Sequence, residues 1–158
     1  MPDKLAAKIE LEIQQIDQLF DSFSDLLTKA RETTPDLVEM TAIASVLHSF
    51  YNGLENIFKT IAKSQDQVIP PGQGWHRQLL LRLAQSVGEG KPVLSQDLVS
   101  RLVEYLGFRH FFRHSYSTFL DWGKLEELVG PLPEVWSQTR LEIEAFLKRI
   151  SGGRSEAN

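Results

Sequence analysis

Residues 34–74 read TPDLVEMTAIASVLHSFYNGLENIFKTIAKSQDQVIPPGQG. Within them Ile43, Leu47, Phe50, Leu54, Ile57 and Ile61 recur at alternating steps of four and three, the spacing that holds apolar side chains on one face of an α-helix. Thr34 before Pro35 sets a good capping residue ahead of the residue best suited to a first helical position, so the helix is expected to begin there. The run Val68-Ile69-Pro70-Pro71-Gly72-Gln73-Gly74 stops it.

The same alternation appears upstream. From Leu5 the apolar positions run Ile9, Ile13, Ile16, Phe20, Phe23, Leu27 and Ala30, which predicts one long first helix. Two long helices joined by a short turn are expected to pack antiparallel. Downstream, a shorter helix from Trp75 to about Val87 carries Leu79, Leu80, Leu83 and Val87 inward before Gly88-Glu89-Gly90 and Pro92 break it. Ser95 is placed to cap the next helix, whose Leu98, Val99, Leu102, Val103 and Leu106 face the core. Asp121 is placed to cap a short turn through Leu128, and Gly130-Pro131-Leu132-Pro133 interrupts the chain. Trp136, Ile143, Phe146, Leu147 and Ile150 then mark a final helix.

No run alternates with period two, and no segment repeats at solenoid spacing. The expected fold is all-α, an antiparallel up-and-down bundle of four to five main helices. One domain over residues 1–150 is followed by a flexible tail, 151–158 (SGGRSEAN). At 158 residues and 42% hydrophobic content one domain can bury a real core. The chain has no cysteine, which rules out disulfides and thiolate metal sites. MPDKLAAKIELEIQQ carries charge throughout and lacks the apolar stretch of a signal peptide, and no later stretch approaches membrane-spanning length; the expectation is a cytoplasmic chain.

A net charge of −4 argues mildly against a nucleic-acid partner, but the distribution of that charge points the other way. Residues 1–74 carry six basic against eleven acidic side chains, whereas residues 75–115 carry six against three, with three of the four histidines. Within eight positions of that segment stand Arg109, His110, Arg113, His114 and Tyr116, interleaved with Phe111 and Phe112, which read as core anchors. Phosphodiester cleavage needs proton transfer near neutral pH, which suits histidine, and a fixed cation for charge developing on phosphate, which suits arginine. Arg109 and His114, five positions apart, sit about 140° apart on a straight helix. Their convergence therefore requires the helix to end or bend there, or two chains to contribute.

Arg109-x4-His114-x-Tyr116 near the end of a penultimate helix resembles the HEPN superfamily, and specifically the HepT-like toxins of bacterial toxin–antitoxin pairs. Tyr51-x2-Leu54-Glu55-x-Ile57-Phe58-x2-Ile61-Ala62, Gly74-Trp75-His76-x2-Leu79-Leu80 and Phe108-Arg109-His110-Phe111-Phe112-Arg113-His114 resemble one branch of it, so the likeness covers most of the chain. The resemblance implies a metal-independent endoribonuclease without cofactor, working on RNA as a homodimer. It implies His114 as general acid or base and Arg109 as the stabiliser of the pentacoordinate phosphorus, with an orienting or substrate-binding part for His110; Arg113 is the other auxiliary candidate, as a contact to RNA. It further implies a minimal nucleotidyltransferase antitoxin that AMPylates Tyr116, where added phosphate repels RNA.

Plainer readings stand beside these. A histidine near a helix C-terminus serves as a cap, Arg109 and Arg113 pair with a carboxylate such as Glu104, and Tyr116 packs at the bundle rim. His110 and His114 have the spacing of a metal pair but lack a third ligand in the pattern of a zinc helix. Trp75 and His76 open a helix as a staple and cap, or form part of a cleft rim. A catalytically silent helical module that binds a nucleotidyltransferase is the alternative function.

Overall fold

The apolar face read from residues 43–61 becomes the centre of the molecule. In a computed structural model that describes residues 2–65, 72, 74–86, 90–116 and 120–156, the chain forms α1 (Pro2–Ser22), α2 (Ser24–Glu32), α3 (Leu37–Ser64), α4 (Trp75–Arg82), α5 (Gln96–His114), α6 (Trp122–Val129) and α7 (Leu132–Glu156). The described residues contain no strand. Helix α3 buries more than one stripe: Tyr51, Phe58 and Ala62 are covered as well as Ile43, Leu47, Phe50, Leu54, Ile57 and Ile61. A helix covered on several sides must be surrounded, and α3 packs against α1, α2, α4, α5 and α6. Helix α7 closes the bundle against α1 and α5. Among the described residues no helix is long and apolar enough to cross a membrane.

The single first helix expected from Leu5 to Ala30 is two helices. The backbone departs from helical values at Phe23 (φ −111°, ψ 14°), although Phe23 still donates to Leu19 O and accepts from Leu27 N. Asp21, Ser22, Ser24 and Asp25 flank the bend, and their short polar side chains compete with the helix for backbone groups. Phe20 is partly buried and packs against the core, with ring centroids 5.6 Å from Phe50 and 6.5 Å from Trp136.

The cap of α3 is Asp36 rather than Thr34. Glu39 N–H donates to Asp36 Oδ1 (2.8 Å) and Asp36 N–H donates to Glu39 Oε1 (3.1 Å). This reciprocal box needs a glutamate three residues after the cap; Asp36 has Glu39 there, whereas Thr34 has Leu37. Pro35 is buried just ahead of it.

Helix α4 ends at Arg82, short of the expected boundary, and Leu94 N–H closes the following loop onto Leu83 O (3.0 Å). Val87, Gly88 and Glu89, and the stop signals at 68–71 and 73, lie outside the described residues. Ser95 caps α5 as read, accepting from Leu98 N, and Asp121 caps α6 by accepting from Gly123 N. The prolines at 131 and 133 do not delay the last helix. Helix α7 starts at Leu132, because a missing N–H costs nothing in a first turn, where that donor has no intrahelical partner. Trp136 Nε1 and Arg140 Nη1 both donate to the Asp17 carboxylate (2.8 and 2.7 Å), tying α7 to α1. The backbone of α7 continues helically past Ser151 to Glu156.

Helices α1 and α3 approach each other closely at Gly53. A β-carbon there would lie 2.9 Å from Cγ1 and 3.0 Å from Cδ1 of the buried Ile16. Gly53→Val is expected to push the two helices apart and destabilise the fold by about 1–3 kcal/mol. In urea unfolding the loss in the double variant with Ile16→Ala should be smaller than the sum of the single losses. Strict additivity would mean that this contact does not set the approach of the two helices.

Candidate active site

The last turns of α5 carry the cluster of basic residues, and the inner stripe of that helix decides where each one points. Leu98, Leu102, Tyr105 and Arg109 follow steps of four, three and four, and all are buried. Arg109 therefore faces inward, toward α3, with only 9% of its surface exposed. Phe111, about 200° further round the helix, is turned outward and is 41% exposed. The expectation that both Phe111 and Phe112 anchor the core is thus corrected: Phe112 alone packs inward, 5.3 Å from the His48 ring and 6.0 Å from Phe108.

Arg109 meets a polar stripe on α3. His48, Asn52, Glu55 and Lys59 recur at four, three and four positions along the otherwise apolar helix. Arg109 Nε donates to Asn52 Oδ1 (2.7 Å), and Arg109 Nη2 lies 4.0 Å from Glu55 Oε1. Glu55 is 4% exposed, and its other oxygen accepts from His76 Nδ1 on α4 at 2.7 Å. The His76 ring is stacked on Trp75 with centroids 3.7 Å apart, and Lys59 Nζ lies 5.6 Å from the Trp75 ring. Three helices thus meet at one buried carboxylate.

The network fixes its own hydrogen-bond directions. A guanidinium only donates, so the Asn52 oxygen faces Arg109 and the Asn52 amide nitrogen faces His48 Nε2 (3.1 Å), which must accept. A neutral His48 satisfies this, and burial, aided by the positive charges of Arg109 and Arg113, holds its pKa below the ordinary 6.5. His48 Nδ1 and the Tyr51 hydroxyl are buried with no hydrogen-bond partner among the described residues, and burial beside Glu55 raises the phenol's pKa.

Helix α5 runs unbroken through His114, so the angular separation from Arg109 persists within one chain. Arg109 points into the bundle, while His110, Arg113 and His114 are exposed, with the His110 and His114 rings 4.6 Å apart. All four nevertheless border one open cleft of about 910 Å³ between α4 and the end of α5. Its described lining also holds His76 and Arg77, giving three arginines, three histidines and no carboxylate. Tyr116 stands two residues beyond α5, is 78% exposed, and is not part of that lining. Among the described residues no group of three or more histidines, aspartates or glutamates is arranged to hold a metal ion.

Reading the sequence missed Glu55, Asn52 and His48 as site residues and placed Trp75 and His76 only at a rim or cap. The signal that finds them is the polar stripe at 48, 52, 55 and 59 inside a helix otherwise apolar on several sides. Glu104, the carboxylate nearest Arg109 in sequence, is not its partner; Glu55, on another helix, is.

The described residues thus define an all-helical protein with a cleft lined by arginine and histidine at the end of a long helix. Within it, residues 42–150 match the sequence family described as HepT-like protein, and the chain belongs to that family of the HEPN superfamily. Comparison with curated proteins and with solved structures gave no match.

The depressed His48 pKa has a stability consequence. The unfolded chain takes up a proton as pH falls through about 6.5 while the folded chain resists it, so stability at His48 is present above that value and lost below it. Urea unfolding at about pH 7.5 and about pH 5.5 should show a smaller acid-side loss in His48→Gln, whose amide oxygen still accepts from Asn52, than in the wild type. Equal losses in the two proteins would remove His48 as the cause.

Proposed function

We propose that this chain is a metal-independent endoribonuclease, the toxin of a toxin–antitoxin pair, acting on cytoplasmic RNA. The observation that carries the reading is the cleft lining: three arginines and three histidines with no carboxylate among the described residues, beside a guanidinium oriented by Asn52. An RNA phosphate is drawn by that charge, and a guanidinium already held in place stabilises a developing oxyanion without reorganising. His114 exchanges protons with the ribose 2′-hydroxyl or the leaving 5′-oxygen, and Arg109 stabilises the pentacoordinate phosphorus. His110 and Arg113, on the same exposed end of α5, assist in holding substrate.

Membership of the HepT-like family supports the toxin role and a minimal nucleotidyltransferase as its antitoxin. Tyr116 is the AMP acceptor in this reading, and its 78% exposure lets a modifying enzyme reach it. The added phosphate brings negative charge close to the cationic end of α5 and repels RNA. A homodimer that pairs two such ends across a twofold axis brings the Arg109 of one protomer toward the His114 of the other. That meets the angular constraint that a straight α5 leaves within one chain.

A second reading, a catalytically silent helical module that binds a nucleotidyltransferase, is favoured by one observation. Arg109 is 9% exposed and already partnered by Asn52 and Glu55, which gives it a structural reason to be present.

Purified protein incubated with total RNA in EDTA decides between them. Under the first reading the wild type yields ends with 2′,3′-cyclic phosphate and 5′-hydroxyl groups, and His114→Ala and Arg109→Ala each lower the rate by about a hundredfold or more. Circular dichroism must accompany Arg109→Ala, because the substitution strips a partner from the buried Glu55. Full cleavage by His114→Ala would remove the proposed site, and a folded wild-type protein that leaves RNA intact would favour the silent module. Tyr116→Phe is expected to keep the cleavage and to lose acceptance of AMP, read by transfer of labelled adenylate from ATP in the presence of the antitoxin.

A further inference from the structure

The buried carboxylate orients a second histidine that the arginine–histidine motif does not contain. We propose that His76, held by Glu55, is the general base that takes the 2′-hydroxyl proton, with His114 as the acid. The assignment rests on the nuclease reading above and divides its proton transfers between two imidazoles.

Only one ring nitrogen of His76 is committed to Glu55. His76 Nδ1 is 2.7 Å from Glu55 Oε2, and a carboxylate oxygen accepts, so Nδ1 carries the hydrogen. In the neutral ring Nε2 is then unprotonated and is the nitrogen left to accept a proton. A carboxylate on the far side of an imidazole selects this tautomer, fixes the ring, and stabilises the imidazolium once the proton arrives. The Trp75 stack, centroids 3.7 Å apart at 28°, adds a second restraint on the ring plane.

Position supports the same conclusion. His76 lines the cleft with Arg109, His110 and His114, and its side chain is 23% exposed, so it is neither sealed in the core nor free in solvent. Arg109 Nη2 lies 4.0 Å from the other oxygen of the same Glu55 carboxylate. The group that takes the proton and the cation that meets the phosphate are mounted on opposite oxygens of one side chain. Among the described residues no carboxylate is paired with His110 or His114; their rings face each other at the end of α5, where exposure suits exchange of a proton with a departing oxygen.

The step balances without a co-reactant. As the 2′-oxygen forms its bond to phosphorus, its proton passes to His76 Nε2. The bond from phosphorus to the 5′-oxygen breaks, and that oxygen takes a proton from His114. The products are a 2′,3′-cyclic phosphate and a 5′-hydroxyl, and the two imidazoles return to their starting states by exchange with water.

The test is cleavage of a mixed-sequence RNA oligonucleotide in EDTA across a pH series by wild type, His76→Gln, Glu55→Gln and His114→Ala. Charged and titratable groups around His76 are Glu55 and Lys59 on α3, Arg77 on α4, and Arg109, His110, Arg113 and His114 on α5. For that reason the readout is the change in profile between variants rather than any single midpoint. A base must be unprotonated and an acid protonated, so the wild-type rate rises on the acid side and falls on the alkaline side.

His76→Gln keeps a donor for Glu55 but cannot take up a proton. It is expected to lower kcat about a hundredfold or more, to leave KM and the circular dichroism little changed, and to lose the acid-side rise. His114→Ala is expected to lose the alkaline-side fall, and Glu55→Gln to lower kcat less than His76→Gln. Wild-type-like kcat in His76→Gln, or an intact acid-side rise, overturns the assignment while a dead His114→Ala leaves the nuclease reading standing. A folded wild-type protein without cleavage overturns both.

Discussion

A carboxylate buried at the middle of a central helix constrains everything built around it. Glu55 is 4% exposed, and removing an ionised carboxylate from water costs several kcal/mol unless partners replace the lost solvent. Here the partners come from two other helices, His76 from α4 and Arg109 from α5, and Asn52 one turn away on α3 completes the hold on Arg109. The requirement acts on the packing as much as on the chemistry. Helix α4 must enter with its first turn against α3, and α5 must present Arg109 on the stripe that otherwise carries Leu98, Leu102 and Tyr105. The cleft lies beside that junction, between α4 and the end of α5.

What the sequence reveals of this arrangement follows from which forces act locally. The stripes at 43–61 and 98–102 are readable because helical period reports burial directly, and Ser95 and Asp121 because a cap acts within three residues of itself. The bend at Phe23 is hidden for the same reason: the alternation Phe20, Phe23, Leu27 passes through it unbroken, while the competing signal lies in the polar residues between. Thr34-Pro35 is a genuine starting signal overruled by a better one, since only Asp36 has a glutamate placed to return its hydrogen bond. Pro131 and Pro133 read as an interruption and act as a beginning.

The site divides along the same line. Arg109, His110, Arg113 and His114 are legible by their density in a short segment. Their surroundings are not, because Asn52 lies 57 positions from Arg109, and His76 lies 21 positions from Glu55. No local pattern announces that a polar stripe at 48, 52, 55 and 59 will receive an arginine from one helix and an imidazole from another. The stripe itself is visible, and in a helix covered on several sides it is the feature that demands a partner.

The electrostatics of the cleft separate two tasks that composition alone confuses. A chain of net charge −4 is a poor candidate for binding phosphate, yet a ligand responds to the potential where it docks rather than to the total. At the floor, the charge of Arg109 is opposed by Glu55 4.0 Å away, so this guanidinium is held in position more than it is offered as free charge. Arg77 and the exposed Arg113 border the same space with no carboxylate in the described lining. Under the proposed function, attraction of an anion belongs to the rim, where side chains are solvated and adaptable, and its orientation belongs to the floor, where a fixed donor loses no freedom on meeting it. The buried carboxylate weakens the field of the arginine beside it, while Asn52 gives that arginine a single direction.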